Sequence, residues 1–566
     1  MRSALKEHII LSAVTAAIVL PFLGSVHLFD WDEINFAESA REMLVTGDWL
    51  RVQINFETFW EKPPLFMWLQ AISMKLFGVN EFAARLPNAL AGIATMNVIW
   101  HIGKSRNDRT FSKWWVLIYL GSLTPLFYFK SGIIDPTFNL FIFLSCFQVF
   151  RAVEVKNVKR SAAYAGLFLG LATLTKGPVA ILITLLFTLA LLLSQSRRRD
   201  RVIQFPGWAM VGITALTTLG TAMLWYVPLF IVDGLSSVPA FIGYQLDLLL
   251  NPVASHGQPW FYHIVILLLL CFPAAAIAIP RITKRIPSDA FSLAMIILFW
   301  VVLILFSLVT TKIVHYSSLC YLPLTYLAAH YARDLKAQPT WNAWVLLIVG
   351  LILALVITVV PMVGMGWISM TEVKDKILRA SLDQEGIWHG WEHYIGLTIL
   401  ASTLVSFGAL LTRSSKTLWI GMCLSLLSIS SVLIVIVPKV EAHTQNGIIR
   451  FYQEHTDAHF YTYKFKSYAH YFYGETELLM ENDTLKQLRS EFYEEKDASG
   501  MIDLLDSERH ELSTRELEFV ASGKYNKPVR IICQVNKVDE LRKREDLREL
   551  HPDGYSLGAY HIFVPK

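Results

Sequence analysis

The residues best suited to chemistry lie in an acidic stretch that follows the first apolar run of the chain. It begins Asp30-Trp31-Asp32-Glu33, and residues 33–46 then place apolar and charged side chains on opposite faces of a helix. A carboxylate at a helix start can accept backbone N–H groups as an N-cap and suits the helix dipole. The same carboxylate, held at a membrane surface, could act as a general base. Spacing alone leaves both interpretations of Asp32 open.

A second charged element, Glu61-Lys62-Pro63-Pro64, directly precedes another amphipathic run. A lysine at a membrane interface commonly extends its ammonium toward water, which is the ordinary interpretation of Lys62. The double proline instead predicts a rigid turn that aims the side chain. A fixed ammonium beside a carboxylate suits an anionic phosphate, with or without a divalent ion.

Three more charged residues lie at the ends of apolar runs. Asp135 opens one of them, where an acid is costly unless it is paired or faces a wet cavity. Pairing with Lys130 is one interpretation of Asp135, and a site at the outer membrane surface is the other. Lys176 and Lys312 also lie at outer ends. Two aspartates and three lysines on one membrane face fit a lipid-borne anionic substrate better than a transport path with charges near the midplane.

The composition predicts a membrane protein with many spans. The chain has 566 residues, of which 54% are hydrophobic and 17% charged, whereas a soluble domain has about 25% charged residues. A helix needs roughly 20 apolar residues to cross a bilayer. The first run, after Arg2 and Lys6, resembles a signal sequence but is interpreted as an uncleaved span. Thirteen spans are predicted, at residues 8–29, 86–103, 112–129, 133–151, 161–175, 178–195, 207–231, 260–280, 290–310, 314–332, 341–367, 391–412 and 416–437.

The charges of the loops predict the orientation. Lysine and arginine cluster in every second loop, on the side of the N-terminus, and the positive-inside rule assigns that side to the cytoplasm. The odd number of spans then places the C-terminal tail outside. The chain lacks the basic, aromatic-rich stripes of nucleic-acid binding, so that class is excluded. The five cysteines show neither disulfide nor metal-ligand spacing.

Two domains are expected: a membrane domain over residues 1–437, with a first outer loop at 30–85, and a small α/β domain over 438–566. In the tail, strand-like runs lie at 460–465, 529–535 and 560–564, and helical patterns lie at 484–494, 513–521 and 537–549. The tail has no Gly-rich phosphate loop or nucleophile elbow. A role as a cap or acceptor-docking domain is therefore favoured over catalysis.

Several motifs resemble those of a known family. The first-loop motifs are the specific ones, and the similarity covers roughly residues 8–330. The matching stretches are Asp-Glu-x-x-Phe-Ala-Glu-x-Ala-Arg-Glu-Met-Leu-x-x-Gly-Asp-Trp (32–49), Glu-Lys-Pro-Pro-Leu-x-x-Trp-Leu-Gln-Ala (61–71), Glu-Phe-Ala-Ala-Arg-Leu-Pro (81–87), Asp135-Pro136, Thr-Lys-Gly-Pro (175–178), His-Gly-Gln-Pro-Trp-Phe-Tyr (256–262) and Lys-x-x-His-Tyr (312–316). They resemble the bacterial branch of the protein O-mannosyltransferase group of GT-C glycosyltransferases, which includes the lipid A aminoarabinose transferases.

The resemblance implies a GT-C fold of about thirteen transmembrane helices in the bacterial inner membrane, with surface helices in the first outer loop and a periplasmic α/β tail. It implies an inverting transferase that moves a sugar from a polyprenyl-phosphate donor to a lipid, protein or glycan acceptor at the periplasmic face. Asp32 would be the catalytic base and Asp135 a second acidic residue. Lys62 would hold the donor phosphate, and Glu61 would belong to a divalent-metal site (Zn, Mg or Mn).

Further site residues follow from the same motifs. Lys176 and Lys312 are additional candidates for the donor phosphate. Candidates for the cavity or acceptor site are Glu33, His256, His315 and Tyr316. The sequence departs from the family at Asp247, near the position where relatives carry a phosphate-binding arginine. A lysine would then substitute, or the donor headgroup is held differently.

Two other functions remain open from the sequence. An oligosaccharide ligase or oligosaccharyltransferase would also use lipid-linked sugars, although the first-loop motif fits it poorly. A lipid or sugar transporter would show two matching repeats with buried midplane charges, and no such repeat is found. Neither the sugar nor the acceptor class follows from the sequence.

Overall fold

The fold is known from a computed structural model, and helices form most of it. It describes residues 2–30, 32–154, 158–196, 207–234, 241, 243, 258–283, 289–369, 373–384, 386–475, 483–496, 506–524, 527–551 and 556–566.

The helices follow one another along the membrane part of the chain and into the tail. The first ten are α1 (Arg2–Val19), α2 (Asp32–Thr46), α3 (Leu65–Phe77), α4 (Glu81–Arg106), α5 (Arg109–Leu120), α6 (Leu123–Tyr128), α7 (Asp135–Glu154), α8 (Val158–Lys176), α9 (Val179–Ser196) and α10 (Trp208–Asp233). The next ten are α11 (Tyr262–Leu270), α12 (Ala274–Thr283), α13 (Ala290–Leu308), α14 (Tyr321–Arg333), α15 (Asn342–Gly364), α16 (Lys376–Leu382), α17 (Ile395–Thr412), α18 (Ser415–Ser431), α19 (Val437–Thr444) and α20 (Asn446–Glu454).

Shorter turns join some of these helices. The 3₁₀ turns of the membrane part are Val314–Cys320, Leu335–Ala337 and Glu392–Tyr394, and a π-helical segment, Val432–Ile436, joins α18 to α19. Each of the thirteen predicted spans therefore coincides with helical structure. Among the described residues, six helices are long and apolar enough to cross a membrane by length and composition. The predicted helical, multi-pass membrane architecture is confirmed.

Three predicted spans differ in detail from the helices observed. The first was expected to reach residue 29, but α1 ends at Val19 and the chain continues in turns. Residues 112–129 form two helices separated at Gly121 and Ser122. The predicted span 260–280 forms two helices separated before Ala274, because Pro273 has no backbone N–H to continue the helical hydrogen bonds.

Small residues bring α8 and α10 into close contact. Gly166 and Gly170 lie one turn apart on α8, and a β-carbon on Gly170 would lie 2.5 Å from the Cβ of Thr221 on α10. This spacing is typical of membrane helices whose backbones approach closely. The contact matters because α8 ends at Lys176, one of the candidate site residues.

The first outer loop contains α2, α3 and a short hairpin of β1 (Gln53–Ile54) and β2 (Glu57–Thr58). Helix α3 has an apolar exposed edge, with Leu76 71% and Phe77 53% exposed, which agrees with the predicted surface helix. For α2 the prediction was wrong: Glu38, Arg41 and Glu42, expected on a solvated face, are all buried. Helix α2 lies beneath the tail and not at a water interface.

The tail forms a four-stranded sheet with helices packed against it. Its elements are β3 (His459–Tyr463), α21 (Ala469–Tyr473), α22 (Asp483–Glu495), α23 (Asp506–Ala521), β4 (Val529–Gln534), a 3₁₀ turn (Val535–Lys537), α24 (Val538–Arg542), β5 (Leu547–Leu550) and β6 (Tyr560–Pro565). The strand order is β3-β4-β6-β5, with β3 and β4 parallel and the other pairs antiparallel. The predicted α/β character is confirmed. The helix expected over 537–549 was wrong at its C-terminal end, which forms β5.

The tail shares one apolar core with the first outer loop. Phe36 of α2 and Phe66 of α3 belong to the same buried cluster as Tyr452 and Phe472 of the tail. Polar contacts reinforce this packing, since the Tyr473 hydroxyl accepts the Leu28 N–H at 2.7 Å. The expected domain boundary at residue 437 falls within a continuous helical segment from α18 to α19. The tail therefore packs over the loop that carries the candidate site.

The α8–α10 contact can be tested by substitution. Gly170→Val should destabilise the protein by about 1–3 kcal/mol, because the new side chain would overlap Thr221. Thermal unfolding in detergent micelles measures this. Gly220→Val is the matched control, since a β-carbon at Gly220 of α10 meets no described atom within 4 Å. Equal unfolding temperatures for the two variants would contradict close packing of α8 on α10.

Candidate active site

A buried ion pair fixes the position of the acidic stretch. The Glu33 carboxylate accepts two hydrogen bonds from Arg85 of α4, at 3.0 and 2.8 Å, and both side chains are about 4% exposed. Glu33 also accepts the backbone N–H groups of Phe29 and Gly132. Arg85 donates its remaining bonds to carbonyl oxygens of the chain before α2, including that of Val26. Glu33 is thus a structural anchor that joins the entrance of α2 to the chain before α7. Its expected place at the cavity or acceptor site stays a prediction.

Asp135 lies at the start of α7 and is 2% exposed. Its Oδ1 accepts a hydrogen bond from Lys176 Nζ at 2.6 Å, which links α7 to the end of α8. The expected pair with Lys130 is not formed, because Lys130 donates to backbone carbonyls at the end of α1, including those of Val19 and Pro21. Of the two interpretations of Asp135, the structure favours a place in a site at the helix ends.

A histidine joins the two candidate aspartates. His315 Nδ1 lies 3.5 Å from Asp32 Oδ2, and its Nε2 lies 3.9 Å from Asp135 Oδ2. Asp135 Oδ2 has no hydrogen-bond partner among the described residues. Asp32 is the accessible member, with 34% of its side chain exposed. Because α2 begins at Asp32, its carboxylate lies in the first helical turn, where the helix dipole stabilises negative charge. The His315 imidazole therefore lies between the partly exposed carboxylate of Asp32 and the buried carboxylate of Asp135.

Glu61 and Lys62 form a second charged pair near this cluster. Lys62 Nζ donates to Glu61 Oε1 at 3.0 Å. Burial acts to lower the pKa of Lys62, but Glu61, Tyr316 and Asp32 together raise it above its usual value. For Glu61, burial acts to raise the pKa, and the charges of Lys62, Lys466 and His315 hold it below its usual value. The pair stays ionised, so Lys62 is a fixed cation within electrostatic reach of Asp32.

The tail also reaches this region through Lys466. Its charge interacts with the carboxylates of Glu61 and Asp30, and its ammonium lies 5.2 Å from the centre of the Tyr468 ring. Asp30 in turn accepts the Tyr468 N–H at 3.1 Å. Sequence reasoning missed Lys466, because no motif links a tail lysine to the first loop. The contact exists only because the tail folds over α2.

The remaining candidates occupy different positions. Tyr316 lies in the cluster, with Lys176 Nζ 5.1 Å from the centre of its ring. Lys312 is 7% exposed, and its ammonium donates a hydrogen bond to the Val309 carbonyl at 2.8 Å. His256 and Asp247 lie outside the described residues. The structure thus brings together Asp32, Asp135, Lys62, Lys176, Glu61, His315 and Tyr316.

The described part of the chain holds no complete ligand set for the divalent metal that the resemblance implies. No group of three His, Cys, Asp or Glu side chains is placed there to hold an ion. The carboxylate of Glu61, the residue expected to bind the metal, is paired with Lys62.

Comparison with known sequences finds similarity to proteins that are named as sugar transferases. The family model described as dolichyl-phosphate-mannose-protein mannosyltransferase matches residues 61–225. An undecaprenyl phosphate-alpha-4-amino-4-deoxy-L-arabinose arabinosyl transferase 1 of Proteus mirabilis (strain HI4320) is 27% identical over 326 residues, 55% of this chain and 57% of the relative. The corresponding transferase of Enterobacter sp. (strain 638) is 26% identical over 376 residues, 64% and 66% of the two chains. The chain thus matches somewhat less than two thirds of the length of these curated relatives.

Comparison with solved structures extends the similarity to the whole chain. The crystal structure of ArnT from Cupriavidus metallidurans bound to undecaprenyl phosphate superposes with a TM-score of 0.73, covers 98% of this chain and 97% of that one, and is 16% identical. The apo structure of the same protein gives a TM-score of 0.70 at 17% identity, covering 99% and 98%.

The fold and the outer charged cluster define a polytopic membrane protein of the GT-C fold. Within that class, the family model, the curated relatives and the solved structures all confirm the resemblance to the ArnT-like branch of the protein O-mannosyltransferase group.

The buried pair can be tested by a double-mutant cycle. Lys176→Gln alone should destabilise the protein by about 3–5 kcal/mol, because it leaves the Asp135 charge buried without its cation. Adding Asp135→Asn should recover much of that loss, because the double variant buries no charge there. Thermal unfolding of the two single variants and the double variant measures the coupling. If the losses of stability in the two single variants add up in the double variant, the 2.6 Å contact between Lys176 and Asp135 does not contribute this energy.

Proposed function

We propose that the protein is an inverting membrane glycosyltransferase that transfers a sugar from a polyprenyl-phosphate donor to a hydroxyl or phosphate acceptor. The observation that carries the proposal is the cluster in which His315 lies between Asp32 and Asp135, with the cation of Lys62 in reach. A base and a phosphate-binding cation, both carried here by the first outer loop, are the two groups that such a reaction needs. The printed names of the relatives, which include an undecaprenyl-phosphate sugar transferase and a complex with undecaprenyl phosphate, support the same donor class.

The acceptor side of the reaction is assigned to Asp32. Its half-exposed carboxylate removes the acceptor proton as the acceptor oxygen attacks the anomeric carbon. An acceptor that is already anionic is oriented instead of deprotonated. His315 holds the Asp32 carboxylate in place, and Asp135, itself bound to Lys176, holds the imidazole from the other side. The attack occurs opposite the departing phosphate, which inverts the anomeric configuration.

The donor side is assigned to Lys62. As the bond between the anomeric carbon and the phosphate oxygen breaks, negative charge grows on the polyprenyl phosphate, and a fixed ammonium stabilises it. Lys62 is suited to this role because Glu61 and the prolines that follow restrict its position. Lys176 is bound to Asp135 and Lys312 to a backbone carbonyl, as Lys62 is to Glu61. Lys62 is favoured as the phosphate ligand because its pair with Glu61 is more exposed (16% and 25%) than the pair of Lys176 and Asp135 (9% and 2%), and Lys312 is only 7% exposed.

The location of the reaction follows from the loop charges. Basic loops on the side of the N-terminus support a location of the cluster on the opposite, periplasmic face of a bacterial inner membrane. A donor sugar carried on a lipid reaches that face without a soluble nucleotide, which agrees with a chain that has no phosphate-loop motif. The acceptor, whether lipid A-like, protein or glycan, is expected to approach beneath the tail.

The role of Asp32 is tested by sugar transfer in vitro. Purified protein is incubated with radiolabelled undecaprenyl-phosphate sugars, aminoarabinose first, and membrane extract. Wild type should label an acceptor, and Asp32→Asn should lose most of the activity, since general-base catalysis contributes about 10²–10⁴-fold. Asp30→Asn is the matched control, because that carboxylate contacts the Tyr468 backbone and not His315. Equal labelling by Asp32→Asn and wild type would remove Asp32 from the role of base.

A further inference from the structure

Glu42 is a buried carboxyl group that the proposed reaction does not use. It lies on α2 at 0% exposure, beside Glu38, which is also fully buried. Glu38 forms a two-bond ion pair with Arg41, with both contacts at 2.7 Å. A carboxyl group is costly to bury unless hydrogen bonds satisfy it. The partners of Glu42 therefore indicate what it does.

Those partners are the two central residues of the β1–β2 hairpin. Glu42 Oε1 accepts the Asn55 N–H at 2.5 Å, and Oε2 accepts the Phe56 N–H at 2.9 Å. Asn55 and Phe56 join the two strands, in which Gln53 pairs with Thr58 and Ile54 with Glu57. One side chain on α2 thus binds both N–H groups at the tip of the hairpin.

The backbone at that tip needs such support. Asn55 and Phe56 have φ angles of 57° and 59°. A two-residue hairpin turn with two positive φ angles favours Asn followed by Gly, because glycine alone adopts this conformation without strain. Here phenylalanine occupies the second position. The Glu42 carboxyl group compensates by holding both amides in the left-handed turn.

The hairpin leads directly to the donor-binding lysine. The Phe59 N–H donates to the Val52 carbonyl at 2.8 Å, which extends the hairpin ladder, and the next residues are Trp60, Glu61 and Lys62. The Trp60 ring packs against Phe241, with centroids 6.5 Å apart. Only two residues, Trp60 and Glu61, lie between the last hairpin contact at Phe59 and Lys62. A change in the turn would therefore move the start of the segment that carries the ammonium.

We propose that Glu42 is a positioning residue for sugar transfer: it fixes the β1–β2 turn and thereby sets where Lys62 meets the donor phosphate. The inference rests on the proposed function in one respect, since it takes the donor phosphate to be the ligand of Lys62. Glu42 acts through the hairpin and touches neither substrate.

The electrostatics of α2 are consistent with this role. Burial and the neighbouring Glu38 raise the pKa of Glu42 above its usual value. Arg41 binds Glu38 through two hydrogen bonds, and both Glu42 oxygens accept the hairpin amides.

The test uses the full-length protein in detergent with variants at one position. Glu42→Ala removes both acceptors, whereas Glu42→Gln keeps one carbonyl oxygen and nearly the same volume. Amide hydrogen exchange of peptides covering residues 53–62 should speed up strongly in Glu42→Ala and to an intermediate degree in Glu42→Gln. With radiolabelled donor, kcat/KM for the donor should fall by up to about 100-fold in Glu42→Ala, because small misplacements of a positioned group cost that much. The acceptor KM should not change.

Glu57→Ala is the matched control, because it removes an exposed carboxylate from the same hairpin without touching the turn amides. A second control adds Phe56→Gly, since glycine needs no carboxyl group to adopt the left-handed turn. The effect of Glu42→Ala should be smaller in the Phe56→Gly background than in wild type.

Three results would overturn the role of Glu42. They are unchanged exchange at residues 53–62 in Glu42→Ala, an equal loss in Glu57→Ala, and an undiminished effect in the Phe56→Gly background. Binding of undecaprenyl phosphate without a sugar separates this inference from the proposed function. If wild type transfers no sugar, weaker binding and faster hairpin exchange in Glu42→Ala would still support positioning by Glu42.

Discussion

The arrangement of the outer site depends on the buried pair of Glu33 and Arg85. Arg85 satisfies carbonyl groups of the chain that enters α2, and Glu33 binds the Gly132 amide just before α7. Asp32 is the neighbour of Glu33, and Asp135 follows Gly132 by three residues. One ion pair therefore sets the spacing between the two carboxylates that approach His315. Because both of its charges are buried, loss of either partner would leave an uncompensated charge in the core.

A second layer of buried polar groups supports the cationic side of the site. Glu42 holds the hairpin from α2, and the hairpin continues into Glu61 and Lys62. The tail covers this loop, shares its apolar core and contributes Lys466 near Glu61. Charged groups here have fixed partners within the protein, as Lys62 has in Glu61 and Glu42 has in the hairpin amides. A site of this kind is preorganised, because its groups need little rearrangement when charge develops on a substrate.

Much of the fold and part of the site could be predicted from the sequence. Apolar runs of sufficient length located the membrane helices, and the motifs around Asp32, Lys62 and Asp135 identified residues that the structure brings together. Long-range pairing could not be predicted. Lys176 could be placed at a helix end, but the pairing of Asp135 with Lys176 instead of Lys130 depends on how α7 packs against α8.

The burial of α2 could not be predicted for the same reason. Its charged face has the periodicity of a solvated helix, and only the fold of the tail removes it from water.

Direct observation of the donor tests the central claim, that Lys62 and Asp32 face one lipid-linked sugar. A structure of this protein with an undecaprenyl-phosphate sugar should place a phosphate oxygen about 3 Å from Lys62 Nζ, with the anomeric carbon facing Asp32. A donor phosphate bound away from Lys62, with its sugar out of reach of Asp32, would contradict the account.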